Sequence, residues 1–179
     1  MLTRQNSMLV VVDVQGKLAE IAWNSEALLR NVGTLIQGAN ILGVPVLATE
    51  QYPKGLGHTV ASVAESLGNA PVIEKGCFSC CGELQFEQKL VEMHKTDIIL
   101  CGIETHVCVY QTARDLLGLG YNVHLVTDAV SSRSEANREL GIRVMERLGA
   151  RLTSTEMLLF ELLVKSGTDE FKQISRLVK

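Results

Sequence analysis

Ile98-Ile99-Leu100-Cys101-Gly102-Ile103-Glu104-Thr105-His106-Val107-Cys108-Val109 is an apolar run that stops at a glycine and gives way to a segment of different period. Residues 97–100 have the unbroken apolar character of a parallel strand covered on both faces, whereas residues 107–119 repeat their apolar positions at helical spacing. Thr105 is a suitable N-cap for that helix and places Cys108 at its third position. Backbone N–H groups and the positive end of the helix dipole surround a thiol there and favour the thiolate. Cys108 is therefore a candidate nucleophile. The plainer alternative is a small buried side chain, as most free cysteines are.

Working outward, residues 8–14 (Met8-Leu9-Val10-Val11-Val12-Asp13-Val14) form another β-rich run, with a carboxylate, Asp13, near its end. Ser25 can cap a helix over 26–42 that Gly43 stops, and residues 44–48 read as a strand. The polar, glycine- and proline-marked segment 49–58 is a loop of the length that usually carries function. A helix over 60–67, a strand over 72–74 that delivers Lys75, and a helix over 83–94 lead back to the central strand. Beyond it come a strand over 123–127, a loop over 128–133 and a helix from Ser134 to residue 148. A short strand over 151–153 and helices over 155–165 and 170–177 complete the chain. Such alternation requires right-handed crossovers and a mostly parallel α/β sheet with helices on both faces, in a single domain covering 1–179. Ligands of such sheets bind beyond the carboxyl ends of the strands, and Asp13, Lys75 and Cys108 all fall at that edge.

The 179 residues are 46% hydrophobic and 21% charged with a net charge of -3, which leaves no basic face for nucleic acid or an anionic membrane surface. A small-molecule substrate is the expected partner. No apolar run approaches a membrane span, and no basic region followed by an apolar core marks an export leader. Five cysteines, an odd number in a chain too large to need staples, fit a reducing, cytoplasmic setting rather than a disulfide framework. Cys77, Cys80 and Cys81 suggest a metal or redox cluster by spacing, yet no second pair completes four ligands. Residues 157–164 (Met157-Leu158-Leu159-Phe160-Glu161-Leu162-Leu163-Val164) carry more apolar surface than one helix face buries, so a homo-oligomer, dimer or tetramer, is expected.

Four short motifs resemble those of one family. Asp13-Val14-Gln15 matches a D-x-Q after the first strand, Lys75 with Phe78-Ser79 matches K-x-x-F-S, and Gly102 to Val109 matches G-x-x-T-x-x-C-V. Thr127-Asp128-Ala129-Val130-Ser131-Ser132 matches a later loop. The chain thereby resembles the isochorismatase-like cysteine hydrolases, which include nicotinamidases and N-carbamoylsarcosine amidohydrolase, over residues 8–163. The resemblance implies a three-layer α/β/α sandwich with strand order 3-2-1-4-5-6 and a catalytic triad of Asp13, Lys75 and Cys108. It further implies a cis peptide between Ile103 and Glu104, in a turn whose backbone at Ile103, Glu104 and Cys108 forms an oxyanion hole.

A cysteine near pKa 8.5 is mostly thiol at neutral pH, so Asp13 would serve as base while Lys75 tunes it. Replacing Lys75 is then expected to damage chemistry more than folding. Gln15, Gln51, Tyr52, Phe78 and His106 are the expected pocket residues, with Trp23 a further aromatic candidate. Glu50-Gln51-Tyr52 stands where nicotinamidases carry a D-x-H metal motif, and His58 alone reads as a solvated loop residue, so neither metal nor cofactor is expected. Isochorismatases themselves lack the cysteine. Cleavage of a small amide or related acyl C–N bond through a Cys108 thioester is the expected activity, and a non-catalytic small-molecule binding protein of the same fold is the alternative.

Overall fold

A computed structural model describes residues 2–179. Six strands form one all-parallel sheet: β1 (Ser7–Val12), β2 (Val46–Gln51), β3 (Val72–Lys75), β4 (Asp97–Ile103), β5 (Asn122–Ser131) and β6 (Arg151–Thr153). Their order is β3-β2-β1-β4-β5-β6, so strand order reverses between β1 and β4. The helices are α1 (Gly16–Glu20), α2 (Ser25–Leu42), α3 (Pro53–Leu56), α4 (Ala61–Leu67), α5 (Leu84–Met93), α6 (Tyr110–Gly118), α7 (Glu135–Arg147), α8 (Thr155–Leu163) and α9 (Asp169–Leu177).

Every β1 side chain is buried because each face of the sheet has its own core. Leu9 and Val11 enter one core with Leu35 and Ile36 of α2, Leu159 of α8 and Ile174 of α9. Met8, Val10 and Val12 enter the other with Phe86 of α5, Leu116 of α6 and Met145 of α7. Successive strand residues point to opposite faces, so the middle of a strand covered on both sides is apolar at every position, and Ser7 and Asp97 stand at the amino ends of β1 and β4. β4 divides in the same way, which accounts for its unbroken apolar run.

Boundaries shift where buried residues are polar. β2 starts two residues later than expected and extends through Thr49, Glu50 and Gln51, whose side chains are buried and hydrogen-bonded. β5 runs on through the expected loop, because after a register shift opposite Leu100 and Gly102 its Val130 and Ser131 rejoin the ladder. α1 and α3, at five and four residues, are too short to show a period. In α8, Leu158, Leu159, Leu162 and Leu163 are buried within the chain, leaving only Met157, Phe160 and Val164 of that apolar segment exposed.

At the amino edge of the sheet, Asp97 Oδ1 lies 2.8 Å from His124 Nε2, while Thr96 Oγ1 (2.8 Å) and Asn122 Nδ2 (3.4 Å) donate to Oδ2. Burial alone would push the Asp97 carboxyl up, but the bonds from His124, Thr96 and Asn122 hold it below the usual range. A carboxyl whose folded-state value is depressed stabilises the fold above its unfolded value and loses that contribution as pH falls through the folded one. Asp97→Ala is therefore expected to cost roughly 1–3 kcal/mol at pH 7, the penalty of orphaned buried partners. In urea titrations the gap to wild type should narrow below about pH 4; a gap independent of pH would rule the ionised pairing out.

Candidate active site

Asp13 follows β1 directly and takes a left-handed backbone, φ 51°, that turns its buried side chain towards β2 and β3. Its two carboxylate oxygens have separate partners. Thr49 Oγ1 donates to Oδ1 at 2.7 Å, and Lys75 Nζ donates to Oδ2 at 2.7 Å. Thr49 reaches Asp13 because β1 and β2 pair in register, with Val12 opposite Thr49. The Lys75 side chain is 0% exposed and also donates to Gln51 Oε1 (2.8 Å) and to the carbonyls of Cys77 and Phe78 (both 3.1 Å). Burial would push the Lys75 ammonium down, but the Asp13 carboxyl group beside it holds it above its ordinary value. It is a charged ammonium paired with the carboxylate.

Cys108 approaches this pair from β4. The Ile103–Glu104 peptide is cis, and the chain then forms a π-helical turn, Thr105–Val109, that continues into α6. Thr105 lies inside that turn rather than capping it, fully buried against α7, where Gly141 leaves room for its carbonyl and methyl groups. The N–H groups of Val107 and Val109 both bond the Glu104 carbonyl, at 3.0 and 3.2 Å. The Glu104 carboxylate is itself fixed by the backbone N–H (3.0 Å) and Nε (3.1 Å) of Arg133.

The thiol differs from the helix-terminus expectation. Burial and then the facing Asp13 carboxylate push Cys108 up to about 12, and the Lys75 ammonium only partly offsets them. Dipole stabilisation of a thiolate is a surface-scale effect, outweighed here by desolvation and a like charge in contact. Cys108 thus rests as a thiol beside the Asp13–Lys75 pair.

The expected pocket residues divide into three groups. Gln15 and Gln51 are buried, and their amides bond the wall of the site. Gln15 Nε2 donates to the carbonyls of Gln51 (3.1 Å) and Gly57 (2.6 Å), and its Oε1 accepts from Gln51 N–H (2.6 Å). Gln51 Nε2 donates to the Gly76 carbonyl (2.8 Å) while Oε1 holds Lys75. Tyr52 and Phe78 are exposed, and Tyr52 flanks an open hollow of about 330 Å³ with Pro53, Glu74 and Glu83. His106 Nδ1 lies 2.9 Å from Ser132 Oγ, and the ring borders a separate groove of about 290 Å³ with Tyr110, Leu140 and Val144. Trp23 packs elsewhere, its ring 5.3 Å from the Arg138 guanidinium.

His58 is a solvated loop residue, as expected, and it also has a partner. Although 77% exposed, its Nδ1 lies 2.8 Å from Oε2 of buried Glu50, whose Oε1 accepts from Thr59 N–H and hydroxyl. Burial would push the Glu50 carboxyl up, but these donors hold it below its ordinary value. The loop that begins at Tyr52 is thereby clasped over the Asp13 turn. Among the described residues no three histidine, cysteine or carboxylate side chains cluster to hold a metal ion. All five cysteines are free; burial pushes Cys80 up to about 11 and Cys81 up to about 12.

A carboxyl group, an ammonium and a thiol lie together at the carboxyl edge of the sheet, and its order, 3-2-1-4-5-6, is that of the isochorismatase-like α/β fold. The sequence profile of the Isochorismatase domain matches residues 7–157. The chain is 39% identical over 178 residues to the secreted isochorismatase effector Isc1 of Phytophthora sojae, spanning 97% of this chain and 85% of that protein. It is 42% identical over 146 residues to isochorismatase domain-containing protein 1 of Danio rerio, spanning 81% of this chain and 51% of the other. Among solved structures, the MAR1 ribonuclease of Caenorhabditis elegans superposes with a TM-score of 0.93 at 42% identity, covering 99% of this chain and 91% of that one. The chain belongs to the isochorismatase family, whose members are hydrolases. Because one relative is named as secreted, membership does not assign a compartment. No helix among the described residues is long and apolar enough to cross a membrane.

Proposed function

We propose that this chain is a single-domain, metal-independent hydrolase of small amides or related acyl C–N bonds, acting through a thioester on Cys108. The observation that carries the reading is the Asp13 carboxyl group, held 2.7 Å from a fully buried Lys75 ammonium and facing the Cys108 thiol. Asp13 takes the thiol proton as sulfur attacks the carbonyl carbon, so the thiolate forms only as it is consumed. Backbone N–H groups of the turn at Ile103, Glu104 and Cys108 receive the oxyanion, and Lys75 keeps its charge throughout. As the C–N bond breaks, Asp13 returns the proton to the leaving nitrogen. Water, deprotonated by Asp13, then cleaves the thioester and restores the thiol. Exposed Met157, Phe160 and Val164 supply the apolar contact of a homo-oligomer.

A second reading comes from the C. elegans relative, which is named a ribonuclease. Against it here stand the net charge of -3 and a Lys75 whose donors are all taken inside the protein. The test is ammonia release from a panel of small amides and ureides in excess chelator, beside cleavage of a labelled RNA, for wild type and Cys108→Ala. Amide turnover that survives chelation and disappears in Cys108→Ala is expected. RNA cleavage that persists without the thiol would replace this reading with the ribonuclease one, and binding without turnover would support a non-catalytic protein.

A further inference from the structure

We infer that Thr49 is a positioning residue for the Asp13 base: its hydroxyl, aimed by the Cys80 thiol behind it, holds one carboxylate oxygen while Lys75 holds the other. The inference rests on the reading of Asp13 as the base for Cys108. A hydroxyl has one proton, and an ionised carboxylate only accepts. At 2.7 Å from Asp13 Oδ1, Thr49 must therefore be the donor. Its remaining contact, 3.7 Å from Cys80 Sγ, then has only one consistent direction, from thiol to hydroxyl oxygen. Cys80 is buried and keeps its proton, with burial pushing it up to about 11. Its backbone N–H is fixed in turn by Thr112 Oγ1 of α6 at 3.0 Å.

The chain from α6 through Cys80 and Thr49 to Asp13 restrains a soft torsion. An aspartate carboxylate rotates broadly about its last bond, so a group held by one oxygen swings and a group held by both does not. Thr49 and Lys75 each give the Asp13 side chain one hydrogen bond, so its orientation is kept while a proton taken from Cys108 passes to the leaving nitrogen. The charged and titratable groups facing Asp13 are Lys75, Cys108 and Cys80. With their set unchanged, loss of the hydroxyl should act on the pH profile as well as on the rate.

The experiment measures the rate of Cys108 alkylation by iodoacetamide against pH, read by intact mass, and so needs no identified substrate. Thr49→Val, which keeps the shape of the side chain, is expected to react about tenfold more slowly at pH 7, with its acid limb displaced to higher pH. Thr49→Ser should restore the rate to within about threefold of wild type and return the limb. Wild-type rate and limb in Thr49→Val, or a Thr49→Ser as impaired as Thr49→Val, would overturn the inference. Asp13→Asn separates the two levels: if it alkylates as fast as wild type, Asp13 is not the base and the underlying reading fails. If Thr49→Val does not fold, Cys80→Ala removes the thiol that aims the hydroxyl. A displaced acid limb is expected there, and a wild-type limb counts against the role.

Discussion

Lys75→Ala lowers the reaction rate of Cys108 by at least about a hundredfold, the scale of one positioned electrostatic group, and also costs roughly 3 kcal/mol of stability. The first effect follows from the pair with Asp13: without the ammonium 2.7 Å from Oδ2, a buried carboxylate takes up a proton and no longer serves as base. The second departs from the expectation that folding would be spared. Protonation relieves Asp13, but it does nothing for Gln51 Oε1 or for the carbonyls of Cys77 and Phe78, which Lys75 also holds. Those acceptors cannot titrate, and a cavity replaces a stem that is fully buried. Urea unfolding of Lys75→Ala beside its iodoacetamide kinetics checks both effects. A variant with wild-type alkylation would separate β3 from the site, and a wild-type midpoint would mean that the Cys77–Phe78 segment is held by something else.

What could be seen in the sequence depended on whether an element announces itself by one strand's own composition. β1 and β4 do, because a strand covered on both faces is apolar through its middle, and their ends then give Asp13 and the turn before Cys108. β2 does not. Thr49, Glu50 and Gln51 read as the start of a polar loop, since Asp13 and Lys75 meet Thr49 and Gln51 only through parallel pairing and Thr59 meets Glu50 only as the loop folds back. Gln15 and Gln51 were recognisable as residues of the site, but only coordinates show their amides turned into the wall. The same holds for Cys108: helix polarity is visible in sequence, whereas desolvation and contact with Asp13, which outweigh it, belong to the packed protein. A signal for Thr49 did exist. Given strand order β2-β1-β4, a hydroxyl one residue beyond the apolar part of β2 stands level with the end of β1, where the carboxylate is.

Gly102→Ala tests the junction from which both Asp13 and the nucleophile turn are hung, and is expected to cost more than about 4 kcal/mol, the range reserved for severe core lesions. Gly102 pairs with Val12 across β1 and β4 and has φ +117°, a conformation that side chains rarely adopt. A methyl group there would stand 2.0 Å from the Val12 carbonyl oxygen and 2.7 Å from its nitrogen. Both obstacles are backbone of a central strand, so no side-chain rotation relieves them. β1 would have to move away, and Asp13, the next residue after Val12, would move with it. Gly43→Ala is the control for conformation alone. Its φ is +69° at the end of α2 with nothing within 4 Å of the added methyl, so it should cost only about 1 kcal/mol. A Gly102→Ala protein with a urea midpoint as close to wild type as that control would show that β1 can yield at Val12. If it did, Cys108 alkylation in the same protein would report whether Asp13 had stayed in reach of the thiol.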